Sequence, residues 1–345
     1  MSLERYGFDG DPRGEIPQFS VEKILVAGNR GPCAGVNMAL EATSQVLDIV
    51  NGREPVFTNW PVVNNDPIME ELRAKGLVTF NNDWKKIENG SIVLFSAHGV
   101  TPQHHRIAQE KDCLIIDTTC LLVTAVHNLV KQAEGNKQGV VYIGRKDHPE
   151  TVGVMSEVDP ESIELIERKE DVDGLYLAPG KSWIVYSQTT LMPDEVDEVE
   201  DRLMQKFPEI EIPDKLGICY ATYSRQRAVE GLIQSGIGAL VVVGSQTSHN
   251  SQMLARRGER SGVPSVVVDY PNQLDPGWFT GVKMLGVTSG ASVLDKFMEP
   301  VAEWVRIRSP KAVIEFQEQI KREPMDAMYP LPAESIAALK ARFAS

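Results

Sequence analysis

In Leu240-Val241-Val242-Val243-Gly244-Ser245-Gln246-Thr247-Ser248-His249-Asn250-Ser251, a short β-branched run ends in glycine and gives way to hydroxyl, amide and imidazole side chains ahead of a helix-like stretch. A run this short and apolar reads as a strand buried on both faces, which is the habit of parallel sheets. The same punctuation recurs outward along the chain. Lys23-Ile24-Leu25-Val26-Ala27, Ile92-Val93-Leu94-Phe95, Val140-Val141-Tyr142-Ile143, Trp183-Ile184-Val185-Tyr186 and Ser265-Val266-Val267-Val268 are equally short and apolar. Between them, residues 38–50, 124–133, 193–207 and 225–234 carry helical spacing. Strand then helix, repeated, predicts an α/β fold. Ligands of such sheets bind beyond the carboxyl ends of the strands. The polar loops there, Ser96-Ala97-His98-Gly99, Gly144-Arg145-Lys146-Asp147-His148, Ser187-Gln188-Thr189-Thr190 and Thr288-Ser289-Gly290-Ala291-Ser292, are therefore where chemistry is expected.

Three of the four cysteines share that context. Cys33 follows Asn29-Arg30-Gly31-Pro32, Cys120 follows Asp117-Thr118-Thr119, and Cys219 lies in Gly217-Ile218-Cys219-Tyr220. Three separate units would each deliver one soft thiolate, which fits an iron-sulfur cluster with one iron free of protein ligand. Buried cysteines behaving as small hydrophobes are the bland alternative, and zinc accepts the same donors. Cys113, in the run Cys113-Leu114-Ile115-Ile116, reads as a core residue.

At 345 residues the chain is long enough for two or three domains stabilised by burial alone. Cysteine is too sparse for a secreted disulfide scaffold, so a reducing, cytoplasmic setting is expected. No apolar stretch reaches membrane-spanning length, and the acidic opening segment carries no signal-like run. A net charge of −13 argues against a general nucleic-acid surface, although a local pocket can still bind a small anion. The ends, up to about Ser20 and beyond about Arg306, are less periodic and read as appendages, with a final short helix over 333–343 after the proline-rich Tyr329-Pro330-Leu331-Pro332.

Within the loops, His148-Pro149-Glu150 places a carboxylate beside an imidazole, a pair able to supply a proton to a leaving group; a turn facing water is the competing reading. Thr189 and Thr190 can relay a proton, or Thr190 can cap the helix that begins near Pro193. Ser248, His249 and Asn250 gather donors at a helix start and suit a phosphate, with simple capping as the alternative. Ser292 could join them, and His98 is a further candidate. His104 and His105 are expected to face solvent, and His127 to serve packing.

Taken together, Arg30-Gly31-Pro32-Cys33-Ala34-Gly35-Val36, Ser96-Ala97-His98-Gly99-Val100, Thr119-Cys120-Leu121-Leu122-Val123-Thr124, His148-Pro149-Glu150, Gln188-Thr189-Thr190-Leu191, Ile218-Cys219-Tyr220-Ala221-Thr222 and Ser248-His249-Asn250-Ser251 resemble the 4-hydroxy-3-methylbut-2-enyl diphosphate reductase (LytB) family over about residues 22–305. The resemblance implies a three-lobed α/β trefoil of αβα units around a central iron-sulfur cluster cavity. Its implied parts are an N-terminal extension (1–21), a first strand and first cysteine packing with the third lobe (22–33), three lobes (34–119, 120–216, 217–305) and a C-terminal tail (306–345). Cys33, Cys120 and Cys219 would hold a 4Fe-4S cluster whose open, labile fourth iron can be lost to leave 3Fe-4S. The implied reaction is reductive removal of an allylic hydroxyl from a small diphosphate, giving isopentenyl and dimethylallyl diphosphates in the last step of the methylerythritol phosphate pathway. Electrons would come from a ferredoxin or flavodoxin type donor. Glu150 would donate the proton, Thr189 relay it, and His148 and His98 bind or orient the substrate, with Ser248, Asn250 and Ser292 on the diphosphate.

The chain departs from the family pattern where Asn64-Asn65 stands for the usual His-Asn and His249 for a serine, so an imidazole leaves one lobe and another enters the third. We read this as relocation of the cationic donor; a paralogue acting on another allylic alcohol, or a cluster-binding sensor without turnover, are the alternatives. Pro32 and Leu121 also replace the usual aromatic and proline beside cluster cysteines.

Overall fold

A computed structural model describes residues 19–213, 219–319 and 331–344. The sequence expectations for the first eighteen positions, for Gly217-Ile218 and for the proline-rich connector through Glu323-Pro324 and Tyr329-Pro330 lie outside those residues.

Along the chain run β1 (Lys23–Val26), α1 (Ala34–Val50), β2 (Val56–Thr58), α2 (Asp66–Ala74), β3 (Leu77–Thr79), β4 (Ile92–Phe95), α3 (Pro102–Glu110), β5 (Leu114–Asp117), α4 (Leu121–Gly135), β6 (Gly139–Ile143) and α5 (Pro149–Met155). After them come β7 (Ile163–Ile166), β8 (Trp183–Ser187), α6 (Pro193–Lys206), α7 (Tyr220–Gln234), β9 (Ala239–Val243), α8 (His249–Arg260), β10 (Ser265–Val268), β11 (Met284–Ser289), α9 (Met298–Arg308), β12 (Val313–Phe316) and α10 (Ala333–Arg342). The strands form three sheets, β10-β9-β11-β1-β12, β3-β2-β4-β5 and β7-β6-β8, in which every pairing is parallel. Three α/β sheets thus stand where three α/β lobes are expected.

Alternation explains why the strands read as unbroken apolar runs. Along β6, Val141 and Ile143 enter one core with Val185 of β8, while Val140 and Tyr142 enter another with Ile184 and Tyr186. Successive side chains point to opposite faces, and both faces are covered, so every position is apolar. Burying each such side chain contributes roughly 1.5–3 kcal/mol. β9 repeats the arrangement, with Leu240 and Val242 packed among Ala228, Val229 and Leu232 of α7 and Leu254 of α8.

The described residues divide into two compact units. One holds 19–33, 64–67 and 220–319 and contains the five-stranded sheet; the other holds 34–63, 68–213, Cys219 and 331–344 and contains the remaining two sheets. The segment after Arg306 is not a loose appendage. β12 pairs in register with β1, Ile24 opposite Ile314, and α10 packs on α1, where Arg342 reaches Glu54 at 2.9 Å. Four residues at a sheet edge, Val313-Ile314-Glu315-Phe316, are too short a run to show a period that reads as a strand. Short β2, β3 and β7 escape the sequence reading for the same reason, whereas β5 ends where a strand is expected ahead of Cys120.

Just beyond β12 the chain lies so close over Gly28 that a Cβ there would run into the backbone carbonyl of Glu318. Gly28→Ala is expected to cost about 1–3 kcal/mol, since backbone cannot yield as a side chain can, and thermal unfolding would register it as a lowered Tm. An unchanged Tm would mean that this backbone contact is not made. No helix among the described residues is long and apolar enough to cross a membrane.

Candidate active site

The two-sheet unit carries the acid. Pro149 opens α5, and the ring of His148 caps it: Nδ1 accepts from the backbone N–H of Glu150 at 3.2 Å. That bond fixes the neutral ring's proton on Nε2. Glu150 is 1% exposed, so the water-facing turn is excluded. Thr189, at the end of β8, donates its backbone N–H to Oε1 at 2.8 Å and its hydroxyl to Oε2 at 2.9 Å. Burial raises the Glu150 carboxyl to about 6, against the opposing bonds of Thr189 and the smaller influences of His127 and Tyr142. A carboxylic acid poised near neutrality at a strand end is what proton donation requires.

Thr189 also joins this acid to a cysteine, because its carbonyl accepts the N–H of Cys219 at 2.8 Å. Cys120 is the N-cap of α4, and its N–H is held by the carbonyl of Ala97 at 3.1 Å, directly before His98. His98 and His148 meet edge to face, with ring centroids 5.7 Å apart. Although His98 keeps some exposed area, it stands deep among protein atoms, and desolvation lowers its pKa to about 4. It is a neutral hydrogen-bonding group at pH 7. The structure brings Glu150 to Thr189 and His148 to His98, all within one neighbourhood of this unit.

Other residues holding that neighbourhood were missed. Asn59, fully buried, donates to the carbonyl of Gly99 at 3.3 Å and accepts from Ser96 N–H at 3.0 Å, bracketing His98. Gln188 accepts from Arg145 N–H at 3.0 Å and from the Thr151 hydroxyl at 3.2 Å, and donates to Thr190 at 2.6 Å, which ties the β6 and β8 loops together. Thr190 therefore does not cap α6, whose N-cap is Met192. The buried Tyr142 hydroxyl approaches Glu150 without a hydrogen bond of good geometry; burial, then the charge of Glu150, pushes its pKa well up. His104 and His105 do not simply face solvent, since their rings lie 6.0 Å from Trp84 and 5.8 Å from Phe95. Cys113 packs at the edge of the Phe80, Trp84 and Phe95 core, as expected.

The five-sheet unit carries the hydroxyl and amide donors. Ser248 caps α8, accepting from Ser251 N–H at 3.4 Å, so the capping reading holds for that one residue. His249 occupies the first helical position. Asn250, 7% exposed, accepts from Ala291 N–H at 3.0 Å, while its Nδ2 has no partner among the described residues. Ser292 donates to the carbonyl of Asn64 at 3.0 Å, bringing a distant segment to the same loops. Ser251 has a buried, unpartnered Oγ wedged where a Cβ on Gly244 or Gly290 would collide with it. Buried donors at a helix start make a ready anion cradle.

Cys33 belongs to this unit. Its N–H bonds the carbonyl of Ala291 at 3.0 Å; the preceding Gly31, at φ +76°, accepts from the buried Arg225 guanidinium and donates to Ser289 Oγ at 2.8 Å. Glycine suits that left-handed turn. All four cysteines are partly buried and stand outside any disulfide. Three thiols on braced loops, none in a disulfide, are a donor set that fits a thiolate-held cluster. Among the described residues no three His, Cys, Asp or Glu side chains stand together as a preformed metal group.

The model of the family described as LytB protein matches residues 24–306. A 4-hydroxy-3-methylbut-2-enyl diphosphate reductase of Actinobacillus pleuropneumoniae serotype 3 is 38% identical over 285 residues, 82% of this chain and 90% of that one. The enzyme of the same name from Francisella philomiragia is 37% identical over 313 residues, covering 90% and 96%. Among solved structures, the E-1-hydroxy-2-methyl-but-2-enyl-4-diphosphate reductase from Plasmodium falciparum aligns with a TM-score of 0.88 at 28% identity, covering 93% of this chain and 99% of that one.

Proposed function

This chain belongs to the LytB protein family, and from that premise we propose that it is a 4-hydroxy-3-methylbut-2-enyl diphosphate reductase. It removes the allylic hydroxyl reductively to give isopentenyl and dimethylallyl diphosphates. One observation carries the assignment of roles: a sealed carboxyl, raised to about 6, is gripped by Thr189, whose carbonyl in turn holds Cys219. An acid is needed because hydroxide is a poor leaving group and water a good one.

Cys33, Cys120 and Cys219 would hold the iron-sulfur cluster, which supplies electrons and a Lewis acid when bound. Glu150 gives its proton to the departing hydroxyl oxygen, and Thr189 keeps the carboxyl turned toward it and relays the proton. The Nε2–H of His148 and the neutral ring of His98 orient the substrate's polar groups. Ser248, Asn250, Ser292 and Asn64 bind the diphosphate, with the free Nδ2 of Asn250 as a donor. Electrons come from a ferredoxin or flavodoxin type partner, and a reducing cytoplasm suits the three thiols. The 1–21 and 306–345 boundaries around three lobes are part of this proposal. The test is anaerobic turnover of cluster-reconstituted protein with the named substrate and a low-potential one-electron donor. An intact cluster without turnover would defeat it.

His249 is the chain's own signature in this site. An imidazolium at the first position of α8 would supply a charge-assisted bond to the diphosphate that Asn64, a neutral amide, cannot. His249→Ser is expected to raise KM about tenfold, with Asn64→His in the same chain restoring part of it, the loss of one charged hydrogen bond being roughly 1.5–3 kcal/mol. Unchanged KM in His249→Ser would favour a different allylic alcohol as substrate.

A further inference from the structure

His127, expected only to pack, is a buried polar group that the proposed roles leave unused. It lies on α4, is 7% exposed, and its Nδ1 meets Glu157 Oε1 at 2.7 Å; Glu157 Oε2 stands 3.2 Å from Lys131 Nζ. Burial alone would raise the Glu157 carboxyl, but the hydrogen bond and charge of His127, with Lys131, outweigh it and hold it below its ordinary value. A carboxylate on one ring nitrogen fixes an imidazole's orientation. The other nitrogen, Nε2, is buried with no hydrogen-bond partner among the described residues.

That unpaired edge is lodged against two glycines beside the site. A Cβ on Gly153 would lie 3.1 Å from the ring's Cε1 and 3.2 Å from Nε2, and one on Gly99 would lie 3.6 Å from Nε2. Gly153 is three residues after Glu150 on α5, hence on its face of the helix, and Gly99 directly follows His98. Leaving a buried ring nitrogen unpaired is costly, and a phenylalanine filling the same space would avoid that cost. Packing alone does not account for the histidine.

We infer that His127, fixed by Glu157, is the positioning residue of the acid: its ring braces the Glu150 helix against the His98 loop. The inference rests on reading Glu150 as the proton donor. The groups facing Glu150 are His127 from α4, Tyr142 from β6, Thr189 beyond β8 and, on its own element, His148. Of these, His127 is the one whose charge acts on Glu150, and a positive charge there favours the ionised carboxyl.

The experiment compares His127→Phe, Glu157→Gln and Glu150→Gln in the cluster-reconstituted enzyme. Iron content, Tm, KM and the pH profile of kcat are read for each, together with the infrared carboxyl band titrated without turnover. In His127→Phe, the alkaline limb of kcat and the carboxyl titration are both expected to move to higher pH, with KM and iron content unchanged. Glu157→Gln, the milder change, shifts both in the same direction by less. If kcat, Tm or iron falls while limb and carboxyl titration stay in place, His127 is structural and the inference is overturned. If the limb vanishes in Glu150→Gln yet does not move in His127→Phe, this inference alone fails. If the limb survives in Glu150→Gln, the acid assignment fails and takes this inference with it.

Discussion

Glu150→Gln is expected to lower kcat by roughly 10²–10⁴-fold while KM and iron content hold, because the change removes a proton and almost nothing else. Glutamine keeps the shape and still accepts the Thr189 N–H that now reaches Oε1 at 2.8 Å. The wild type should also show a declining limb as pH rises. With the carboxyl raised to about 6, the protonated form dominates below that value and falls to roughly a tenth at pH 7, so kcat decreases with pH above about 6. Stability follows the same sign. A carboxyl that binds its proton more tightly folded than unfolded stabilises the fold fully below about 4.5, and that contribution is lost as pH rises through about 6. The shift corresponds to about 2 kcal/mol, the cost of holding the ionised group in the folded site at neutral pH. Glu150→Gln carries no such charge, so the inactive variant is expected to melt at least as high as wild type at pH 7. Parallel pH–rate and thermal-unfolding series check both halves. A variant that retains turnover, or one that loses it only by unfolding, would remove Glu150 from the role.

The strand-end loops were legible because their chemistry is local. His148-Pro149-Glu150 reads as a strand-end loop that pairs an imidazole with a carboxylate, and the structure sets it at the start of α5 with the carboxyl buried. What could not be read depends on contacts between distant residues. Asn64 joins Ser292 across 228 positions, and Asn59 reaches the His98 loop across 37 to 40; neither spacing leaves a mark on periodicity. Tyr142 sits in an apolar run whose pattern reports burial correctly but is silent about a hydroxyl approaching Glu150. His127 is a different case. Its helical spacing puts it on the buried face of α4, but spacing carries no mark of its contact with Glu157, 30 positions away. The donor set was easier to see than its support, because cysteines at strand ends are rare residues in a repeated context, whereas the bracing Arg225 and Gln188 are ordinary residues in ordinary helices and loops.

Cys120→Ser is expected to abolish turnover and the visible cluster absorption without harming the fold, and the reason lies in what the thiol does not do. Cys120 is the N-cap of α4, yet its side chain makes no capping hydrogen bond; the helix start is held by the backbone, Thr124 N–H to the Cys120 carbonyl at 2.9 Å and Cys120 N–H to Ala97 at 3.1 Å. Serine is a strong N-cap, worth about 0.5–2 kcal/mol over residues that cannot cap. The metal-free variant should therefore unfold no earlier than the metal-free wild type, a comparison that isolates the thiolate from the scaffold. In the iron-loaded proteins the order reverses, because metal binding free energy becomes folding free energy only where the ligand set is complete. Iron and sulfide analysis, the electron paramagnetic resonance spectrum and paired melting curves of both forms decide it. A zinc site on the same thiols would be colourless and redox-silent in the wild type. Full iron content and turnover in Cys120→Ser would instead sink the assignment of Cys120 as a ligand, leaving it one more small buried side chain at a helix start.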